Sequence, residues 1–152
     1  MENIIDHDAE WWGKERSSYL YSQMHKHQRK VVNEKKSSRK YAYFTAFRRM
    51  RIRDEESQST AELRMDGIAG CLRTPKGGSA KQIVVRVGRG KFDARLLNAK
   101  EIAHLMGAED YKINSQLSSN QILFGFGDAV CVPVLEWIGN HYLNPLLRKG
   151  SR

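Results

Sequence analysis

Tyr41-Ala-Tyr-Phe-Thr-Ala-Phe-Arg-Arg-Met-Arg-Ile-Arg53 alternates aromatic with small residues and then sets four arginines within six positions. Period-two alternation is the signature of a half-buried strand. The spacing predicts a strand over 41–47 that continues to residue 53, with Arg49, Arg51 and Arg53 on one face and Arg48 beside them. After a polar gap the chain continues Met65-Asp-Gly-Ile-Ala-Gly-Cys-Leu-Arg-Thr-Pro-Lys-Gly-Gly-Ser-Ala-Lys-Gln82. Here a short apolar run leads into a loop whose polar content is Arg73, Thr74, Lys76, Gly77, Gly78, Ser79, Lys81 and Gln82. Guanidinium forks suit guanine edges and phosphates, and a glutamine amide suits adenine. Paired glycines let backbone N–H groups approach an anion closely. These residues are expected to form a nucleic-acid-reading surface of strands and joining loops; the plain alternative is a solvated basic hairpin without a ligand.

The charge supports the first expectation. The 152 residues carry a net charge of +9, with a pI near 9.7, which favours a polyanionic partner through phosphate neutralisation. The charge is concentrated: residues 16–53 hold twelve Lys/Arg against the single acid Glu34, whereas residues 101–152 hold four against five acids. The first half is therefore expected to face the anion, with a solvated arm over 28–40 as the alternative. A chain of this length makes one domain of ordinary size.

Around this centre, residues 1–7 read as an irregular lead-in, and 8–34 as helical, with Asp8 as N-cap and breaks near Gly13 or Ser17-Ser18. Adjacent Trp11 and Trp12 cannot share a helical face. Residues 35–40 break the helix, 54–60 form a turn, and short strands are expected at 61–65 and 67–72. Residues 75–79 are a loop. Residues 82–87 and 92–97 pair through Gly88-Arg-Gly90. Asn98-Ala-Lys-Glu101 reads as a capping box, Gly107 as the residue past that helix, and 119–124 as a short helix. A turn at 125–133 opens a final helix that Asn144-Pro145 stops. The fold class expected is α+β.

Conventional catalytic signals are weak. His25-Lys-His27 is expected to point to two sides of a helix, a poor metal geometry, and no metal site is expected. Gly88-x-Gly90 and Gly125-x-Gly127 are incomplete dinucleotide fingerprints. Lys76-Gly-Gly-Ser79 lacks the Gly-Lys-Ser/Thr order of a phosphate loop. Cys71 and Cys131 have apolar neighbours and read as buried thiols. No apolar run is expected to reach membrane-spanning length, so a cytoplasmic protein is expected.

Two further stretches carry a specific likeness. Arg95-Leu-Leu-Asn-Ala-Lys-Glu-Ile-Ala-His-Leu-Met-Gly107 resembles Arg-x-Leu-Thr-Pro-Arg-Glu-x-Ala-Arg-Leu-x-Gly, the ninth shared motif of DNA (cytosine-5)-methyltransferases. Phe124-Gly-Phe-Gly-Asp-Ala-Val-Cys-Val-Pro-Val134 resembles their tenth, Gly-Asn-Ala/Ser-Val-x-x-Pro-Val, and the order is the family's. The stretch Glu62-Leu-Arg-x-Asp-Gly-Ile-Ala-Gly-Cys-Leu-Arg-Thr-Pro-x-Gly-Gly-Ser79 is similar to the target recognition region of one branch. The Gly-rich cofactor loop, Pro-Cys nucleophile, Glu-Asn-Val acid and Gln-x-Arg-x-Arg strand of those enzymes have no match here; Arg49-Met-Arg51-Ile-Arg53 lacks the preceding Gln.

The resemblance implies a target recognition domain at 1–94, a segment at 95–147 that completes the methyltransferase fold, and a loose tail at 148–152. Its terminal helices would pack on a Rossmann-like catalytic domain. It implies that the recognition domain enters the major groove of double-stranded DNA while the cytosine is flipped out. Arg95, Leu97, Glu101, Leu105 and Gly107 would organise that domain. Gly127, Asp128, Ala129 and Val130 would complete a pocket for the methionine end of S-adenosylmethionine, shared with a catalytic half that carries the Pro-Cys nucleophile. Asp128 stands where the family has Asn. The alternative is a stand-alone sequence-specific DNA-binding remnant.

Overall fold

The computed structural model describes residues 2–53, 55–74 and 81–150. The fold is mixed α+β. One 3-10 turn, Glu2–Ile4, precedes helices α1 (Lys14–Ser22) and α2 (Lys26–Lys36). Strands β1 (Ala42–Arg53), β2 (Glu56–Arg64), β3 (Ile83–Gly88) and β4 (Lys91–Leu96) follow, then helices α3 (Ala99–Leu105), α4 (Ser119–Asp128), α5 (Val132–Ile138) and α6 (Asn144–Gly150). The strands form a single antiparallel sheet in the order β2-β1-β3-β4.

Strand alternation divides the interior into two cores. Ile83, Val85 and Val87 of β3, with Phe44 and Ala46 of β1, pack against Leu20 and Met24 near α1 and Val32 of α2. The intervening positions, Val84 and Tyr43, face the other way and meet Ile5, Leu97, Ile102, Leu123 and Phe126. The sheet is thus a layer between α1/α2 on one side and the lead-in with α3 and α4 on the other. Both faces must be covered because β3 is apolar at almost every position.

Two turns fix the register. At the β3–β4 hairpin, Arg89 and Gly90 have φ of +51° and +78°, the two-residue turn whose twist matches the flanking strands. Gly88 leaves no room for a side chain, since a Cβ there would collide with the Lys40 carbonyl. At the β1–β2 hairpin, Arg53 pairs with Glu56, and Glu55 adopts φ of +65°. The hairpin extends past the body of the sheet, leaving Ile52 81% and Met50 61% exposed.

Several sequence expectations are corrected. The helix expected over 8–34 is two helices split at 23–25, and Gly13, not Asp8, precedes the first. Residues 8–12 are irregular, with a turn through Asp8 and Ala9; Trp12 N–H donates to the Ala94 carbonyl beside β4. The two indoles therefore fall on opposite faces, Trp11 against one core and Trp12 against the other. The turn expected at 54–60 is mostly strand, because Ser57, Gln58, Ser59 and Thr60 pair with β1. No strand forms at 67–72. That segment is irregular, and Cys71, expected buried, is exposed.

The C-terminal region differs most. Residues 125–128, expected to begin a turn, continue α4 to Asp128. Asn144-Pro145 does not stop the last helix: a π turn over Gly139–Leu143 joins α5 to α6, and Asn144 N–H reaches the Gly139 carbonyl, five residues back. The wider turn accommodates the missing proline donor and the bulk of its ring. The tail expected to be loose from 148 is helical to Gly150. The expectation on apolar runs is also overturned. Ser119–Arg148 contains an 18-residue window of mean hydropathy 1.6, none of it buried, long and apolar enough to span a bilayer by length and composition alone. Its helix is interrupted at 129–131.

Candidate nucleic-acid interface

Arg49 and Arg51 lie on one face of the β1–β2 hairpin, two positions apart as the alternation requires. Both guanidiniums turn towards Glu62 on β2: Arg51 Nη2 donates to Glu62 Oε1 at 2.9 Å, and Arg49 Nε lies 3.7 Å from Oε2. All three side chains retain solvent contact. Exposed pairs of this kind contribute at most about 1 kcal/mol, so exchanging Glu62 for a phosphate or guanine edge costs little. Arg53 closes the strand; its side chain lies outside the described residues. Arg51→Ala is expected to weaken binding of a cognate duplex by about 1–3 kcal/mol if the guanidinium reads a base edge. Comparing several duplexes by anisotropy separates this from a phosphate contact, which would weaken all of them equally.

Arg48 does not join that face. Its guanidinium turns under the hairpin, 5.6 Å from the Tyr19 ring and 5.9 Å from Trp12. Its Nε and Nη2 are buried without an acceptor. The alternation that groups the odd-numbered arginines necessarily sends residue 48 to the α1 side.

The loop expected to carry base contacts is anchored from inside. Thr45 Oγ1 donates to the Ile68 carbonyl at 3.0 Å. Arg64 and Asp66 form an exposed ion pair, which holds the Asp66 carboxyl below the usual carboxylate range. Gln82 is buried. Its amide donates to the Cys71 carbonyl at 3.3 Å and lies against Gly70, where a Cβ would have no room. It is therefore turned into the protein and tethers the loop. Arg73 is exposed, while Thr74 and Lys81 are half-buried. Lys76, Gly77, Gly78 and Ser79 lie outside the described residues.

The residues that resemble the ninth motif meet in a buried knot. Arg95 and Glu101, 3% and 0% exposed, form a two-pronged ion pair at 2.6 and 2.7 Å. Glu101 also accepts from the backbone N–H of Asn98 and of Asp6, at 2.8 and 2.9 Å. Asn98 Oδ1 accepts from Glu101 N–H, completing the capping box. Arg95 Nη2 donates to the Asp6 carbonyl, and its guanidinium lies 4.8 Å from the Trp11 ring centre. Asp6 takes a hydrogen bond from Asn98 Nδ2, the main reason its carboxyl is held below the usual range. The part played by Asp6 was not readable: nothing local in a short lead-in announces partners 92 and 95 positions away. The knot also crosses the expected boundary at 94/95, which falls inside β4.

The tenth motif is clasped to the ninth and to the loop. Gly107, at φ of +67°, packs against the Pro133 ring, and Val132 N–H donates to the Met106 carbonyl at 3.0 Å. Gly127 is pressed against the Arg73–Thr74 backbone so closely that a Cβ would overlap it. Asp128 is exposed and has no cationic partner among the described residues. An open helix start, which the cofactor role would use to hold a carboxylate, is missing at Gly127 and Asp128 because they occupy the last turn of α4. At the start of α5 the Val132 N–H is spent on Met106, position 133 is proline, and Val134 N–H turns to the Cys131 carbonyl. The described residues therefore do not fit an anion cradle for the methionine end of S-adenosylmethionine. What they do provide is wall: Phe126, Ala129, Val130 and Val132 border an apolar cavity of about 410 Å3 that runs to Met106 and Ile113.

His25 and His27 stack with ring centres 6.0 Å apart, closer than the two-sided placement expected. No group of three His, Cys, Asp or Glu residues fit for a metal occurs among the described residues.

Comparison with known proteins points to the family that the sequence resembles. The family model described as C-5 cytosine-specific DNA methylase matches residues 2–144. No curated protein and no solved structure gives a match.

Proposed function

The chain belongs to the C-5 cytosine-specific DNA methylase family, and from that premise we propose that it is the DNA-recognition and cofactor-pocket-completing portion of such an enzyme. Members of the family act on DNA and use S-adenosylmethionine. In this reading the β1–β2 hairpin and the loop at 65–82 grip double-stranded DNA, and a catalytic half outside these residues carries the Pro-Cys nucleophile. None of the three prolines, Pro75, Pro133 and Pro145, precedes a cysteine. Activity would then require both halves, as in a restriction-modification methyltransferase acting in the cytoplasm. Gly127, Asp128, Ala129 and Val130 would border the cofactor site, with the donors to its charged end coming from the partner.

The observation that carries this reading is the uncovered apolar flank next to the tenth motif. Val134, Leu135, Trp137, Leu143, Leu146 and Leu147 are all half or more exposed, an apolar surface too large for water to be its natural neighbour. It adjoins the residues that would border the cofactor, which is where a catalytic domain would have to sit. The test is reconstitution. The purified chain is mixed with a polypeptide bearing the earlier family motifs, and transfer of labelled methyl groups to duplex DNA is measured. Each component alone is expected to be inactive, and the mixture to methylate cytosine at one sequence. Transfer by this chain alone, or an inactive mixture of cognate components, overturns the proposal.

A further inference from the structure

Helix α2 carries a second cationic surface, on the other side of the sheet from Arg49 and Arg51. Gln28 and Val32 face the core, and Gln28 Nε2 donates to the Leu63 carbonyl at 3.0 Å. This orientation turns Lys26, Arg29, Lys30 and Lys36 outward along one side of the helix, with spacings of three, four and seven that keep them in register. Three shallow depressions of 570, 470 and 530 Å3 follow one another along this side, and Asn33 borders all three. Lys14 and Lys91 flank the middle one, and Arg39 and Arg89 close the far end. The far end is built, not loose: Gly90 N–H donates to the Lys36 carbonyl at 2.9 Å, Arg89 N–H to the Ser38 carbonyl at 2.7 Å, and Arg89 Nε to the Arg39 carbonyl at 3.1 Å.

The acids nearby do not neutralise it. Asp93 is held by Arg86 at 2.8 Å, leaving Glu34 as the acid along the groove. Among the described residues, none of Lys26, Arg29, Lys30 and Lys36 has an acidic partner. Positions 26 to 36 span about 15 Å of helix, long enough for the row of cations to lie against more than one phosphate of a strand. We propose that this groove binds the phosphate backbone of DNA outside the segment that the hairpin reads, without regard to sequence. The inference rests on the reading of the chain as a DNA-recognition portion.

Lys26, Arg29, Lys30 and Lys36 are replaced together by Gln, which keeps helix propensity, and folding is checked by circular dichroism. Binding of mixed-sequence duplexes, each about two helical turns long, is followed by anisotropy over a salt series. The expected result is a weaker affinity by a similar factor for every duplex. The slope of log K against log salt should become shallower by about 0.9 for each phosphate that the variant no longer neutralises. An unchanged affinity and slope, in a set where Arg49→Gln/Arg51→Gln does weaken binding, overturns the groove and leaves the hairpin reading standing. Failure of the unmodified chain to bind any duplex overturns both. If the fourfold variant keeps DNA binding but loses retention on phosphatidylserine-containing vesicles, the surface is a membrane contact and the proposal is overturned.

Discussion

Glu101→Ala is expected to lower the unfolding free energy by about 3–5 kcal/mol, the cost of leaving a buried charge unpaired. The loss falls on Arg95, which is 3% exposed and would keep only the Asp6 and Leu96 carbonyls and the Trp11 ring around it. It also frees the backbone N–H groups of Asp6 and Asn98, both of which donate to Glu101. Urea denaturation followed by circular dichroism measures the effect. Against a total stability of about 5–15 kcal/mol, the loss is a large fraction, and the urea midpoint should fall in proportion. Replacing both partners by methionine separates charge from packing. Removing a buried pair together is often neutral or better, so Arg95→Met/Glu101→Met should recover a large part of the loss. A Glu101→Ala variant within about 1 kcal/mol of the original would mean that water reaches Arg95 and the pair is not sealed.

Gly107→Ala is expected to cost about 2–4 kcal/mol, combining an unfavourable backbone with a collision. The φ of +67° is a region that side chains avoid, and the new methyl would strike the Pro133 ring, which cannot swing aside. The structure should yield at the hydrogen bond beside that ring, from Val132 N–H to the Met106 carbonyl. Hydrogen exchange at Val132 should therefore accelerate more than at the β3 amides, which lie in the sheet. Adding Pro133→Ala removes the collision but not the backbone cost, so the double variant should regain roughly half of the loss. Equal exchange at Val132 in the two glycine variants would show that the motifs are not held together at this contact.

The clasp has a functional corollary. Gly127 abuts the Arg73–Thr74 backbone, so the candidate reading loop and the segment resembling the tenth motif are in direct contact. In the proposed assembly, that contact would pass a displacement of the loop on duplex binding to the border of the cofactor site.

Some of this was legible in the residues, and some was misread for identifiable reasons. The β3–β4 hairpin was clear because a run of Val and Ile leads up to Gly88-Arg-Gly90, where Gly90 supplies the positive φ that the turn needs. The α3 start was clear because its capping box lies within four residues. The β1–β2 hairpin was under-read, since Glu56 through Thr60 are polar: they pair by backbone and look mostly outward, leaving no alternation to detect. The end of α4 was misread because Gly125 and Gly127 suggested a turn. Glycine permits a turn without requiring one, and Gly127 is small because it touches Thr74, a neighbour distant in sequence. Gln82 offered the same ambiguity: its amide suits adenine and a backbone carbonyl equally, and only the loop's course gave it Cys71.

By itself the sequence determined the α+β class, the grouping of Arg49 with Arg51, the concentration of positive charge in the first half, and the family. Each is set by neighbours a few positions apart, through backbone periodicity, turn sterics or composition. Tertiary structure alone decided that Arg95 and Glu101 would be sealed by Asp6, that Gly127 would meet the loop at Arg73–Thr74, and that the basic residues of α2 would share one open side. Those outcomes depend on which surfaces are buried against each other. Burial is a property of segments far apart in the chain, brought together by the sheet and not encoded within any one of them.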